Sequence, residues 1–163
     1  MAKILIVDDD PCVLAVLRVS MRQAGHEVHV AGDGLSGLAL ALGEQPDLVV
    51  TDLRMPRLDG FGMLAALRAN APTAQLPVVV VTALDEPEHL RRAVLLGADS
   101  YLMKPVQIES LCEAIDTRLA RAGENRNRAL LGEHADAMLR EPRHATVLYS
   151  DIRRFSRIAE ILS

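Results

Sequence analysis

Three short runs constrain the fold more than anything else in the chain. Ile4-Leu5-Ile6-Val7, Leu48-Val49-Val50 and Val78-Val79-Val80-Val81 are apolar without interruption and rich in β-branched residues. A strand with one wet face alternates apolar and polar side chains. A strand with no polar position is covered on both faces, the condition of a parallel sheet sandwiched between helices. Two weaker strands, Glu27 to Ala31 and Ser100 to Met103, bring the set to five. Between the strands lie segments of helical spacing, beginning with Val13, Leu14, Val16, Leu17 and Met21, which stops at Gly25. Asp10 can cap this first helix with Pro11 at its first position, and Asp33 and Asp85 precede the second and fourth helices in the same way. A third helix follows Gly60 and fades at Pro72, and a fifth runs from Gln107 to Ala122. Strand and helix thus alternate five times, which predicts a doubly wound α/β domain. With 163 residues, 50 % of them apolar, the chain can build one such domain and an appendage.

The polar residues fall at informative places. Asp8 and Asp9 follow the first strand directly, Asp52 closes the third, Thr82 closes the fourth, and Lys104 lies just past the fifth. In an open parallel sheet, ligands bind beyond the carboxyl ends of the strands, where the strand order reverses. With the order 2-1-3-4-5 these five residues converge there. Three carboxylates held together repel one another and call for a cation. A hard divalent ion such as Mg²⁺, which prefers carboxylate, carbonyl and water oxygens, meets that need. Asp52 can then stay anionic and attack phosphorus without a general base. Lys104 and the Thr82 hydroxyl would supply charge and a donor to phosphoryl oxygens, a positioning and electrostatic role that dominates phosphoryl transfer.

The stretches Ile4–Pro11, Leu48–Gly60, Val78–Ala83 and Tyr101–Pro105 resemble the receiver domains of two-component response regulators, over residues 1–122. The resemblance implies a flavodoxin-like (βα)5 fold with Asp52 as phosphoacceptor and Asp8 and Asp9 as the acidic pair that holds Mg²⁺. It implies that the backbone carbonyl of Arg54 completes the metal shell, so that the Arg54 side chain is free to vary. Thr82 becomes the switch hydroxyl, Tyr101 the aromatic whose rotamer follows phosphorylation, and Lys104 the family's lysine. Lys104-Pro105 is commonly a cis peptide in such domains. The implied donor is a phosphohistidine on a sensor histidine kinase, followed by slow self-catalysed hydrolysis. Homodimers through the fourth helix, fifth strand and fifth helix are common in the family.

Each of these residues also has a plain reading. Asp10 is a helix cap, Asp52 could be a turn former before Met55-Pro56, and a strand tyrosine such as Tyr101 often only packs, with its hydroxyl at the surface. What weighs against coincidence is that all of them fall at one end of the sheet. Arg54 and Leu84, two residues past Asp52 and Thr82, are placed to hinder the water that would hydrolyse an acyl phosphate. His26, His29, His89, His134 and His144 lack metal-ligand spacing, and Gly32, Gly34 and Gly37 have the wrong spacing for a dinucleotide fingerprint.

After Ala122 the texture changes. Gly123 to Arg128 is polar and carries both signs of charge, Ala129 to Leu139 reads as a short amphipathic helix, and Pro142 breaks it. Residues 123–144 are therefore expected to be a partly helical linker. Ala145–Leu162 resembles the opening strand and turn of class III adenylate or guanylate cyclase domains, with Asp151 matching a metal-binding aspartate and Ile152 the residue whose backbone assists. Arg154 departs from the glycine usual in that motif, and a diguanylate cyclase would need an acidic residue at Arg153. Residues 145–163 would then be the start of a cyclase domain. Residues 145–163 hold no second metal carboxylate, so this stretch by itself is not expected to work as a cyclase. Two expectations follow: the regulatory end of a longer phosphorylation-controlled cyclase, or a complete single-domain regulator acting by phosphorylation-dependent protein binding.

Charge and cysteine usage narrow the partners. Residues 1–122 carry 11 Lys/Arg against 16 Asp/Glu, and residues 123–163 carry 7 against 6. No basic stripe with interleaved aromatics points to nucleic acid. Cys12 and Cys112 form neither a disulfide framework nor a zinc set, which suits a reducing cytosol. Met-Ala-Lys runs straight into the first strand without the pattern of a secretory leader, so none is expected, and no apolar run approaches the roughly 20 residues of a membrane helix. A cytoplasmic protein without membrane or nucleic-acid partners is expected.

Overall fold

The structure, a computed structural model, describes the backbone of residues 1–139 and the side chains of residues 1–131. The chain alternates β1 (Lys3–Val7), α1 (Pro11–Gln23), β2 (Glu27–Ala31), α2 (Gly34–Glu44), β3 (Leu48–Thr51), α3 (Gly60–Ala69), β4 (Val78–Thr82), α4 (Pro87–Leu95), β5 (Ser100–Met103) and α5 (Ile108–Leu139), with a short 3-10 turn at Ala71–Thr73. The strands form a parallel sheet in the order β2-β1-β3-β4-β5, as expected for a flavodoxin-like fold.

The uninterrupted apolar runs are explained by what covers them. Leu5, Val7, Val49, Val78 and Val80 belong to one core cluster with Ala41 of α2, Met63, Leu64 and Leu67 of α3, and Ala93 of α4. Their chain neighbours Ile4, Ile6, Leu48, Val50, Val79 and Val81 belong to another, with Leu17 and Met21 of α1 and Leu111 and Ile115 of α5. None of these strand residues is more than 2 % exposed. Burial of each such side chain contributes about 1.5–3 kcal/mol, so a charge inside any run would oppose the whole sheet.

Asp10 accepts hydrogen bonds from the Cys12 and Val13 amides, and Asp33 from the Ser36 amide. The fourth helix departs from expectation: its cap is Glu86, without a side-chain cap bond, and Pro87 is its first residue. Proline's fixed φ starts the helix there and leaves Asp85 one residue too far upstream. The fifth helix departs further. It does not end at Ala122 but continues as a single helix to Leu139, although Met1–Ala122 is one of two compact units. Gly123 costs a helix only about 1 kcal/mol, the next five residues contain no proline, and Glu124 and Arg128 stand at the favourable i,i+4 spacing and order. Polarity alone therefore did not mark a break. The break expected at Pro142 and the cyclase-like opening strand and turn expected within Ala145–Leu162 lie outside the described residues.

Two glycines of the Gly32–Gly37 stretch, Gly34 and Gly37, have packing roles. A Cβ on Gly34 would collide with the Leu58 carbonyl, which accepts a hydrogen bond from the Gly34 amide, and one on Gly37 would press on the Val7 side chain.

Candidate functional site

Register decides which residues meet. Val7 pairs with Thr51 across β1 and β3, so Asp8 and Asp52, each the next residue, emerge side by side. The Asp52 amide donates to the Val7 carbonyl and the Asp8 amide to the Ala31 carbonyl, which continues the ladder through both aspartates. Thr82 ends β4 opposite Met103, and the Lys104 amide donates to the Thr82 carbonyl, bringing the lysine to the same sheet end. The Lys104–Pro105 bond is cis.

Asp8, Asp9 and Asp52 each offer a carboxylate oxygen, and these atoms lie within 4.8 Å of one another. Asp8 is 3 % exposed and Asp52 8 %, whereas Asp9 is exposed. Lys104 Nζ donates to Asp8 Oδ2 at 2.6 Å and to Asp52 Oδ2 at 3.1 Å. The other oxygens are held by backbone. Asp8 Oδ1 accepts from the Asp10 amide at 2.9 Å, and Asp52 Oδ1 accepts from the Leu53 and Arg54 amides at 2.6 and 3.3 Å. Partial burial works against the Lys104 charge, but the hydrogen bonds to Asp8 and Asp52 and their negative charges outweigh it, so the ammonium is held above its ordinary pKa. Lys104 is thus a fixed cation. Three oxygen donors so close together, two of them largely buried, are a donor set that suits Mg²⁺.

Thr82, 1 % exposed, and Tyr101 do not bond directly to this cluster. They meet at Leu84, whose amide donates to Thr82 Oγ1 at 3.4 Å and whose carbonyl accepts from the Tyr101 hydroxyl at 2.5 Å. Burial raises the Tyr101 pKa, and the charges of Asp52 and Asp85 raise it further. The Arg54 side chain is exposed. Sequence reasoning missed the backbone donors to Asp52, the Leu84 carbonyl and the role of Gly60. A Cβ on Gly60 would collide with the Asp52 carbonyl, so the start of α3 lies directly against the turn that carries the aspartate. Beside Lys104 lies an open apolar cleft of about 520 Å³, whose lining includes Val13, Val16, Leu17, Val81, Pro105 and Val106.

Residues 4–116 match the family described as response regulator receiver domain. The chain belongs to that family. The receiver domain is 41 % identical over 120 residues to Protein PilH of Pseudomonas aeruginosa, an alignment covering 74 % of this chain and 99 % of PilH. It is 39 % identical over 121 residues to RpaA of Synechocystis sp., a DNA-binding dual master transcriptional regulator, covering 74 % of this chain but only 50 % of RpaA. The chain therefore spans about half the length of some relatives and nearly all of others. Among solved structures, the receiver domain resembles Vibrio cholerae chemotaxis protein CheY4 with a TM-score of 0.69 and 31 % identity, covering 72 % of this chain and 98 % of CheY4. A CheY-like receiver domain protein from Methanospirillum hungatei gives a TM-score of 0.73 at 30 % identity, over 77 % of this chain and 98 % of that one. The receiver domain is thus a component of two-component signalling, a regulator by kinship. No helix among the described residues is long and apolar enough to cross a membrane.

Proposed function

We propose that Asp52 accepts a phosphoryl group from a phosphohistidine of a sensor histidine kinase and that the resulting acyl phosphate switches an output. One observation carries this reading: a largely buried carboxylate with Oδ1 fixed by two amides and Oδ2 against a fixed ammonium. A carboxylate oxygen of Asp52 attacks phosphorus as the P–N bond of the donor breaks. The electron pair leaves on the imidazole nitrogen, which is protonated. Lys104 turns from the carboxylates to the transferred oxygens, and the Thr82 hydroxyl donates to them, stabilising charge by position rather than by bond making. Asp8, Asp9, Asp52 and the Arg54 carbonyl would hold Mg²⁺, which supplies neutralising charge to the carboxylates and the incoming phosphoryl group. The apolar cleft beside Lys104 offers a donor protein a surface next to Asp52.

The resemblance in residues 145–163 supports a C-terminal nucleotide cyclase as the output, with residues 123–144 as the connection to it, and the receiver-family resemblance points to α4, β5 and α5 as the face through which a homodimer would form. The near-complete coverage of PilH favours a second reading, a single-domain regulator that acts by binding another protein when phosphorylated. The length of the native reading frame beyond Ser163 separates the two. The phosphoacceptor itself is tested with acetyl phosphate, or beryllofluoride, and Mg²⁺. With acetyl phosphate, intact mass should rise by one phosphoryl group in the wild type and stay constant in Asp52→Asn. Labelling that persists in the variant overturns the assignment.

A further inference from the structure

Lys104 belongs to two places at once. Its ammonium bonds Asp8 Oδ2 and Asp52 Oδ2, and the residue also lines the apolar cleft of about 520 Å³ between α1 and the turn from β5 into α5. The α1 wall of the cleft starts at Cys12, three residues after Asp9. Both walls therefore start beside the carboxylate cluster. Among the described residues that line the cleft, Lys104 alone carries a charge. Val13, Val106 and Ile108 pack on the core cluster beneath, and Val16 stands 57 % exposed at the surface. Apolar surface kept in water beside a fixed cation suits a molecule with an apolar body and an anionic end.

We propose that this cleft is a leaving-group site for small phosphodonors, and that it selects acyl phosphates whose acyl chain is apolar and longer than acetyl. The inference rests on Asp52 being the phosphoacceptor. The donor's phosphoryl group meets Asp52 and Lys104, and its chain lies along Val13, Val16, Val106 and Ile108. A carboxylate oxygen of Asp52 attacks phosphorus, and the bond between phosphorus and the bridging oxygen of the donor breaks. The electron pair leaves on that oxygen as a free carboxylate, which takes no proton, so the step needs no general acid. Straight-chain carboxylates are almost equally basic, so a longer chain leaves the donor's own reactivity unchanged. Selection then comes from the methylenes that the cleft removes from water, which raise the rate as long as the donor is not saturating.

The test gives the full chain, with Mg²⁺, either acetyl phosphate or butyryl phosphate at equal concentrations below saturation, and follows labelling by intact mass. Butyryl phosphate should label the wild type about five-fold faster, the effect of two added methylenes in a cleft open on one side. In Val16→Ser the ratio of the two rates should fall to about two, because one apolar wall is lost. Val19→Ser changes an exposed valine of the same helix that does not line the cleft, and it should keep the wild-type ratio. A ratio of one in the wild type overturns the inference. So does a ratio that Val16→Ser leaves unchanged, or one that Val19→Ser lowers as much as Val16→Ser does. Labelling of Asp52→Asn by either donor would instead remove the phosphoacceptor reading and the inference with it.

Discussion

Lys104 Nζ lies 2.6 Å from Asp8 Oδ2, a bond between residues 96 positions apart that joins the end of the fifth strand to the end of the first. Asp8 is almost fully buried, so the pair is a fixed charge contact rather than a surface one. Removing the lysine leaves Asp8 and Asp52 as neighbouring anions without that compensation. Lys104→Met should therefore lower the melting temperature in EDTA, and added Mg²⁺ should recover more of it than it adds to the wild type. Phosphorylation by acetyl phosphate should slow by about 100-fold, the usual loss on deleting one preorganised donor. Calorimetry with and without Mg²⁺, together with intact-mass time courses, measures both.

The same contact gives a pH dependence with a defined sign. Lys104 titrates above its ordinary value of 10.5 in the folded protein, so its stabilising contribution is complete below that pH. The contribution is lost as pH rises through the folded value. Tyr101 is also raised and acts in the same direction, so the wild type alone does not isolate the lysine. The melting temperature of the wild type should fall more steeply above pH 10.5 than that of Lys104→Met, which keeps Tyr101. Parallel curves would remove the lysine from the account.

Gly60 stands where α3 starts against the Asp52 carbonyl and the Leu53 backbone. Gly60→Ala forces one of these apart. A loss of about 1–3 kcal/mol in denaturant unfolding is expected, in the range of overpacking changes. Phosphorylation should slow as well, because the displaced turn is the one whose amides hold Asp52 Oδ1.

Arg54 follows Asp52 by two residues and keeps its side chain exposed beside the site. Truncating it should leave the fold intact, since only its backbone amide is bonded to Asp52. Arg54→Ala is expected to speed decay of the phosphorylated protein by a few-fold, and decay at the wild-type rate would show that the arginine does not obstruct water.

Arg68 organises the opposite end of the sheet. Its guanidinium donates to the Leu76 carbonyl at 2.8 Å, the Gly97 carbonyl at 2.7 Å and Asp99 Oδ2 at 3.1 Å, and Asp99 in turn accepts from the Val78 amide. Arg68→Met takes the guanidinium donors away from the Thr73, Leu76 and Gly97 carbonyls and from Asp99, at a cost of about 2–3 kcal/mol. Phosphorylation kinetics below the melting transition should not change. A kinetic defect would mean that this end of the domain communicates with Asp52.

Much of this domain was legible because its strands are covered on both faces. Continuous apolarity in residues 4–7, 48–50 and 78–81 could mean little else, and the acidic residues that end such strands could only meet at one edge. Helix ends were less legible. Asp10 and Asp33 cap as their side chains suggest, but Pro87 overrides Asp85, and α5 passes through a polar stretch that contains no proline to stop it. Arg68 gave no signal, because an arginine on a helix reads as solvated until the chain brings four acceptors to it.

The order of strands and helices, and the residue types at the strand ends, belong to the sequence alone, because hydrophobic periodicity and proline chemistry are local. Tertiary structure alone decided that Lys104 touches Asp8, that Gly60 lies against Asp52, and that Thr82 and Tyr101 meet at the backbone of Leu84. These contacts depend on strand register and on backbone amides and carbonyls. Every residue carries the same such groups, so no residue type announces them.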